Sequence, residues 1–246
     1  MNILHRLLRI RRTLSPAIAF ECWAPSYDEK DSNPLLMIEE KFFSPYLQSL
    51  EVRGKHVIDF GCGTGRYVRN LIDLGAASIT GIDQSQSMLA IAKEKVGATL
   101  KTRFIYSSIE ALPLEDASYD VGICNLTLSY STNLKRAVGE MCRVLRPHAT
   151  LLVSDLHPIQ KSLRWKRTFT SSQSDQSSIT YNIQHHDYSL EDYIESFEKN
   201  YFVIDKMSEP QIDTSILSVF EKFNMREAFN RYCGTPILFI FKLHKI

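Results

Sequence analysis

Three glycines at alternate positions, Gly61, Gly63 and Gly65, separate a short apolar run, HVIDF at 56–60, from a stretch with helical spacing, RYVRNLIDLG at 66–75. This strand–turn–helix pattern constrains the chain more than any other feature. Glycines in such a turn let the backbone approach a ligand with no Cβ in the way. The helix that follows presents free N–H groups and a partial positive charge. The alternation then repeats. ASITGID (77–83), RFIYSS (103–108), YDVGICN (119–125) and ATLLVSD (149–155) read as strands. SQSMLAIAKEKVG (85–97) and NLKRAVGEMCRVLRP (133–147) read as helices. Ser85 is placed to cap one helix, Gly75 and Gly97 to stop two, and Pro147 to end another. Strands alternating with helices of this length give βαβ units, right-handed crossovers and a doubly wound parallel sheet.

Beyond residue 158 the rhythm breaks. KRTFTSSQSDQSSITYN (166–182) reads as a surface insertion or hairpin. SLEDYIESFEKN (189–200) is a helix with Ser189 and Asp192 as a capping box. YFVIDKMSEP (201–210) and TPILFIFKLH (235–244) are expected as two strands forming an antiparallel edge, with a helical excursion over 211–234 between them. Residues 35–50 have apolar residues at helical spacing and a proline at 45. The expected organisation is an N-terminal helical arm and cap over 1–50. An α/β domain over 51–246 follows, with insertions at about 159–187 and 211–234.

With 246 residues, 44% hydrophobic, 23% charged and a net charge of +1, the chain is not collagen-like, disordered or a polytopic membrane protein. Near-neutrality also gives no footprint for wrapping duplex DNA. The first twenty residues hold Arg6, Arg9, Arg11 and Arg12 and no acid, leaving 25 basic against 28 acidic residues elsewhere. An N-terminal helix or frayed arm is the leading reading. A surface-anchoring amphipathic segment and an organellar presequence are the alternatives. No apolar run reaches the roughly 18 residues that a spanning helix needs. The five cysteines are odd in number and lack C-x-x-C spacing, so neither a disulfide scaffold nor a zinc ribbon is expected. They read as small core residues in a reducing compartment, and a cytoplasmic location is expected.

The glycine turn does not complete the dinucleotide fingerprint G-x-G-x-x-G, because Arg66 stands five positions after Gly61. Asp59, two residues before the first glycine, would repel a pyrophosphate and suit an ammonium group. The pocket therefore looks built for an amino-acid-bearing adenosine. Asp83 ends the second strand 22 residues after Gly61, where a carboxylate can accept from ribose hydroxyls. Each acid could instead simply cap the helix that follows it.

D-F-G-C-G-T-G (59–65) resembles motif I of the class I S-adenosylmethionine-dependent methyltransferases of the small-molecule, methyltransferase-domain type. G-I-D-Q-S (81–85) with Met88 resembles the ribose motif that follows it. F-I-Y-S-S-I-E-A-L-P-L (104–114), Y-D-V-G-I-C-N (119–125) and R-V-L-R-P (143–147) resemble later motifs of the same family, in order and spacing, over about residues 20–158. The resemblance implies a Rossmann-like, doubly wound, mostly parallel seven-stranded sheet with an antiparallel edge strand and a helical or irregular cap. It implies an enzyme with S-adenosyl-L-methionine as cofactor and S-adenosyl-L-homocysteine as product. Gly61, Cys62 and Gly63 would pass under the methionyl part, and Asp59 would face its ammonium. Asp83 would take the ribose, with Gln84 and Met88 beside the adenine. Ser108 and Ile109 would flank the adenine edge, although the family usually carries Asp where Ser108 stands. Asn125 would sit next to the methionine. W-A-P-S-Y-D (23–28) resembles an entry segment in which Tyr27 closes over the cofactor. Met88 and Trp23 read equally well as core.

Methyl transfer from a sulfonium is an in-line displacement, and a base is needed only where the acceptor must lose a proton. His157, just past the strand ending at 155, is the candidate catalytic residue. The alternative is a histidine bonded locally before Pro158. His185, His186 and Asp187 have no recognised metal spacing, and no metal is expected. Aromatics in the non-motif parts, among them Trp165, Phe169, Tyr181 and Phe220, favour a small, partly apolar organic acceptor over nucleic acid. Asn125 is followed by Leu126-Thr127-Leu128, unlike the N-P-P-Y signature of adenine or glutamine N-methylation. The expected function is methyl transfer to an O, N or C atom of a metabolite, by a monomer or homodimer. Two alternatives stay open: a methyltransferase acting on RNA or protein, and a non-catalytic S-adenosylmethionine-binding regulator.

Overall fold

The computed structural model describes residues 12–29, 33–97, 101–163, 167–172 and 178–246. Arg6, Arg9, Arg11 and Trp165 lie outside the described residues. The chain opens with β1 (Arg12–Leu14), α1 (Pro16–Trp23) and α2 (Pro34–Gln48). The alternating region follows as β2 (His56–Phe60), α3 (Val68–Asp73), β3 (Ser78–Asp83), α4 (Gln86–Val96), β4 (Thr102–Tyr106), β5 (Tyr119–Asn125), α5 (Leu134–Val144) and β6 (Leu145–Leu156). Next come α6 (Gln160–Leu163), β7 (Thr168–Ser172), β8 (Ser178–Ile183), α7 (Leu190–Lys199) and β9 (Phe202–Ser208). The chain closes with α8 (Leu217–Lys222), α9 (Arg226–Tyr232) and β10 (Leu238–Lys245).

Local sequence explains most of these bounds. Ser85 accepts the Met88 N–H at the start of α4, and Gly97 ends that helix at φ 71°. Ser189 and Asp192 form the expected capping box on α7. One boundary differs from the sequence reading. α5 stops at Val144, three residues before Pro147, and Pro147 lies within β6. The β5–β6 register slips there, from Tyr119 opposite Leu145 to Val121 opposite Thr150. A strand irregularity tolerates a residue with no N–H, and His148 beside it adopts φ 63°.

Seven strands form one sheet in the order β4-β3-β2-β5-β6-β10-β9. All pairs among β4, β3, β2, β5 and β6 are parallel. At the other end β10 runs antiparallel to both β6 and β9. The segment read as an insertion or hairpin is a hairpin, β7 with β8, and β1 joins it in parallel to make a separate three-stranded sheet. One face of the large sheet packs on α5 and α7 through Phe60, Val138, Met141 and Phe197. The other packs on α2 and α3 through Phe43, Leu47, Val68 and Leu71. The chain winds outward from β2 to β4 and returns to β5 beside β2. The order therefore reverses between β2 and β5, and ligands of open α/β sheets bind at the carboxyl ends of such strands. Asp59 and Asn125 stand at those two ends.

Candidate functional site

The glycine turn is held by the strand next door. The N–H groups of Gly61 and Cys62 both donate to the Ile82 carbonyl, at 2.8 and 2.9 Å. Asp83 then clasps the turn from β3. It accepts from the Gly63 N–H at 2.8 Å and from the Ser85 N–H at 2.9 Å. The two required glycines serve different ends. A Cβ on Gly61 would collide with the Thr127 side chain, so this glycine allows the turn to pack on the loop after β5. A Cβ on Gly63 would meet nothing within 4 Å, so the backbone there faces open space at φ 52°. Cys62 points the other way, its sulfur packing over Gly81, and only its backbone is available to a ligand.

Two acids meet at this turn. Asp59 is only 3% exposed, and burial, reinforced by the nearby charge of Asp83, pushes its carboxyl up to about 8. Burial also raises Asp83, to about 6, against its backbone hydrogen bonds. Asn125 donates its amide to Glu39 and to Ser154, both at 3.1 Å, while its Oδ1 is buried with no partner among the described residues. A strained acid pair beside an orphaned acceptor, under a backbone with no Cβ, fits a ligand carrying an ammonium or sulfonium. S-adenosylmethionine has both.

The remaining expected residues fall around this centre. Ser107 N–H donates to the Asp83 carbonyl at 3.0 Å, which sets Ser108 and Ile109 close to Asp83. Ser108 is exposed and its Oγ accepts from the Glu110 N–H, whereas Ile109 is buried. Met88 is buried beneath α4 and Gln84 is half-buried. Tyr27 packs on Trp23 at 4.9 Å between ring centroids, and burial raises its phenol. Its segment is tied down on the turn. Thr64 donates to Asp28 at 2.8 Å, Lys95 pairs with Asp28, and Glu21 of α1 accepts from the Gln86 and Ser87 N–H groups at the head of α4.

A cavity of about 910 Å³ opens on the far side of Tyr27 and Leu126. α1, the head of α2, the end of β6, the β7–β8 hairpin, α8 and α9 all contribute walls, so both expected insertions cover it. Trp23 and Phe169 stack on one wall at 5.1 Å and 13°. Leu126 enters it from a left-handed backbone, φ 50°, an uncommon state for a bulky residue. Its polar lining includes Arg167, Asp155, Gln160 and Asn33.

His157 does not line this cavity. Its Nδ1 accepts from the Ile159 N–H at 3.1 Å and its Nε2 bonds Glu209 at 2.8 Å. With both ring nitrogens engaged, the imidazole holds the turn after β6 to the end of β9. The expected role as a base has no free nitrogen to perform it.

Sequence reading missed Glu39. This carboxylate of α2 is fully buried and accepts from Arg66, Tyr67, Asn125 and Ser154, joining four elements behind the turn. The signal was present: Glu39 lies three or four residues from Leu35, Leu36, Phe42 and Phe43, on the apolar stripe of its helix.

Residues 58–153 match the sequence model of the family described as "Methyltransferase domain". A malonyl-[acyl-carrier protein] O-methyltransferase of Pectobacterium atrosepticum is 37% identical over 103 residues, 42% of this chain and 39% of that protein. An O-methyltransferase of Pyrenophora dematioidea is 31% identical over 137 residues, 53% of this chain and 51% of that protein. The matches thus span about half or less of the length of these curated relatives. The solved S-adenosylmethionine-dependent methyltransferase of Mesorhizobium loti superposes with a TM-score of 0.66 at 19% identity, covering 88% of this chain and all of that one. At that identity the likeness is one of fold.

Proposed function

We propose that this chain, whose residues 58–153 match the model of a methyltransferase domain, is a class I S-adenosylmethionine-dependent methyltransferase that moves a methyl group from that cofactor to an O, N or C atom of a small organic molecule. One observation carries the reading: a cation-seeking acid pair under an open glycine turn adjoins, across Asn125 and Leu126, a large aromatic cavity. The names of the relatives, O-methyltransferases among them, support it.

Asp59 and the orphaned Asn125 Oδ1 would receive the ammonium, Asp83 the ribose hydroxyls, and the backbone of Gly61, Cys62 and Gly63 the methionyl chain. Gln84, Met88, Ser108 and Ile109 would border the adenine, and Tyr27 would close the site toward the cavity. Bound there, the cofactor supplies an electrophilic methyl on a sulfonium, a leaving group already activated. The chain's own work is then orientation and exclusion of water. Glu39 fixes Asn125 and Ser154, Leu126 lines the cavity next to Asn125, and Glu21 of α1 with Asp28 beyond it pins this segment to the head of α4 and to Thr64. No histidine lines the cavity among the described residues, so positioning carries the catalysis here rather than an imidazole base.

The test is transfer of a labelled methyl group from S-adenosylmethionine into a cell lysate, fractionated by size. Label in the small-molecule fraction, dependent on Asp83, is the expected result. Label confined to RNA or protein contradicts a small acceptor, and no transfer to any fraction contradicts the activity.

A further inference from the structure

Five buried side-chain atoms lack a hydrogen-bond partner among the described residues, and three of them are donors: Arg167 Nε, Gln160 Nε2 and Asn33 Nδ2. All three residues line the same cavity. Their loneliness is not an accident of crowding. Asn33 occupies the N-cap of α2, yet its side chain makes no cap bond and is 6% exposed. An asparagine at that position normally serves the helix. Arg167 is nine-tenths buried, its guanidinium over the Tyr130 ring at 5.1 Å, with one Nη on Ser129. Leaving a buried donor unpaired is unfavourable, and a charged one more so. A ligand that brings acceptors removes the penalty.

The charge balance narrows the ligand. Arg167 is the one cationic residue among the described lining residues, and Asp155 and Glu29 are the acids. Asp155 lies 4.0 Å from Arg167 but spends its oxygens elsewhere, on the Ser129 N–H, the Ser129 hydroxyl and the Leu156 N–H. The guanidinium therefore keeps its Nε free, while Ser129 and Tyr130 take other bonds from it and Asp155 partly offsets its charge. That suits a singly charged planar anion and not a phosphate dianion or a pyrophosphate. Around it the walls are aromatic and aliphatic, including Trp23, Phe169, Leu126 and Phe220.

We propose that the acceptor is a monocarboxylate with an apolar or aromatic body, anchored through its carboxylate by Arg167. Further oxygens of the same molecule are met by the amides of Gln160 and Asn33. The inference rests on methyl transfer for its role as substrate recognition, and on the cavity alone for the binding.

The test uses the full chain saturated with S-adenosylhomocysteine. 4-Hydroxyphenylacetate, 4-hydroxycinnamate and 3-hydroxyoctanoate, each with one oxygen beyond the carboxylate, are titrated by calorimetry beside the corresponding primary amides. At least one acid should bind ten times or more tighter than its amide. Arg167→Gln should erase that preference while changing the affinity for S-adenosylhomocysteine by less than twofold. Should Arg167→Gln lose the fold, Gln160→Leu carries the test, with a threefold or greater loss of the bound acid expected. Acids that bind no better than their amides, or a preference that survives Arg167→Gln, overturn the proposal. Loss of S-adenosylhomocysteine binding by the unmodified chain would instead strike the methyl-transfer reading, so the two failures are told apart.

Discussion

In the glycine turn, Asp83 accepts from two backbone N–H groups, and the strain that remains belongs to acids without a cation. In the cavity beyond Leu126 the imbalance has the opposite sign: Arg167, Gln160 and Asn33 hold donors without acceptors. One compartment is short of positive charge and the other is short of acceptors. Two ligands of opposite chemistry, a cationic donor and an oxygen-rich acceptor, would settle both. The unpaired buried polar atoms of each compartment thus support the ligand chemistry proposed for it.

Glu39 stands behind both compartments, and its removal should have the largest effect. Glu39→Ala strands the Arg66 charge and is expected to lower stability by about 3–5 kcal/mol, read by urea unfolding. A loss under 1 kcal/mol would show that the network is dispensable. The glycines come next. Gly61→Val combines a collision with Thr127 and a left-handed backbone, and should cost about 3 kcal/mol of stability. Gly63→Ala has only the backbone penalty, about 1 kcal/mol, yet should cut cofactor affinity at least as severely. Equal effects of the two substitutions on folding would undo the distinction drawn between them.

The acid pair sets a pH dependence. Asp59 has a folded value of about 8 against an ordinary 3.8, so the folded chain keeps a proton that the unfolded chain releases. Its stabilising contribution is complete below pH 4 and is lost as the pH climbs toward 8, by up to about 1.4 kcal/mol per pH unit. The ligand-free chain should therefore soften over that range, and Asp59→Asn should flatten the profile. A ligand-free stability that rises from pH 5 to 8 in proportion to an intact Asp59 would contradict this. The smallest effect is expected at His157. His157→Asn should loosen the turn by about 1 kcal/mol through its lost hydrogen bonds and leave turnover within twofold. A tenfold fall in kcat would return the imidazole to the chemistry.

The glycine-turn side of the candidate site was legible in the sequence because it is local. A strand, three alternate glycines, a helix and an acid at the end of the next strand fix Asp59, Gly61, Gly63 and Asp83 relative to one another through short-range geometry. The cavity side was not. Arg167 lies in a Ser- and Thr-rich stretch without periodicity, and it reaches Ser129 and Asp155 only because the β7–β8 hairpin folds back. Asn33 and Gln160 fall in no motif of the sequence. His157 was legible as a residue at a strand end, where catalytic groups gather. Its partner Glu209, however, lies 52 residues on, and no spacing rule foretells it.

The most direct measurement is calorimetric titration of the purified chain with S-adenosylmethionine, in the unmodified form and as Asp83→Asn. Saturable binding at one site per chain is predicted, weakened about ten- to a hundredfold by the substitution, the scale of a lost hydrogen bond to a charged group. No binding by the unmodified chain, or equal affinity in Asp83→Asn, would contradict the assignment of the glycine turn as the cofactor site.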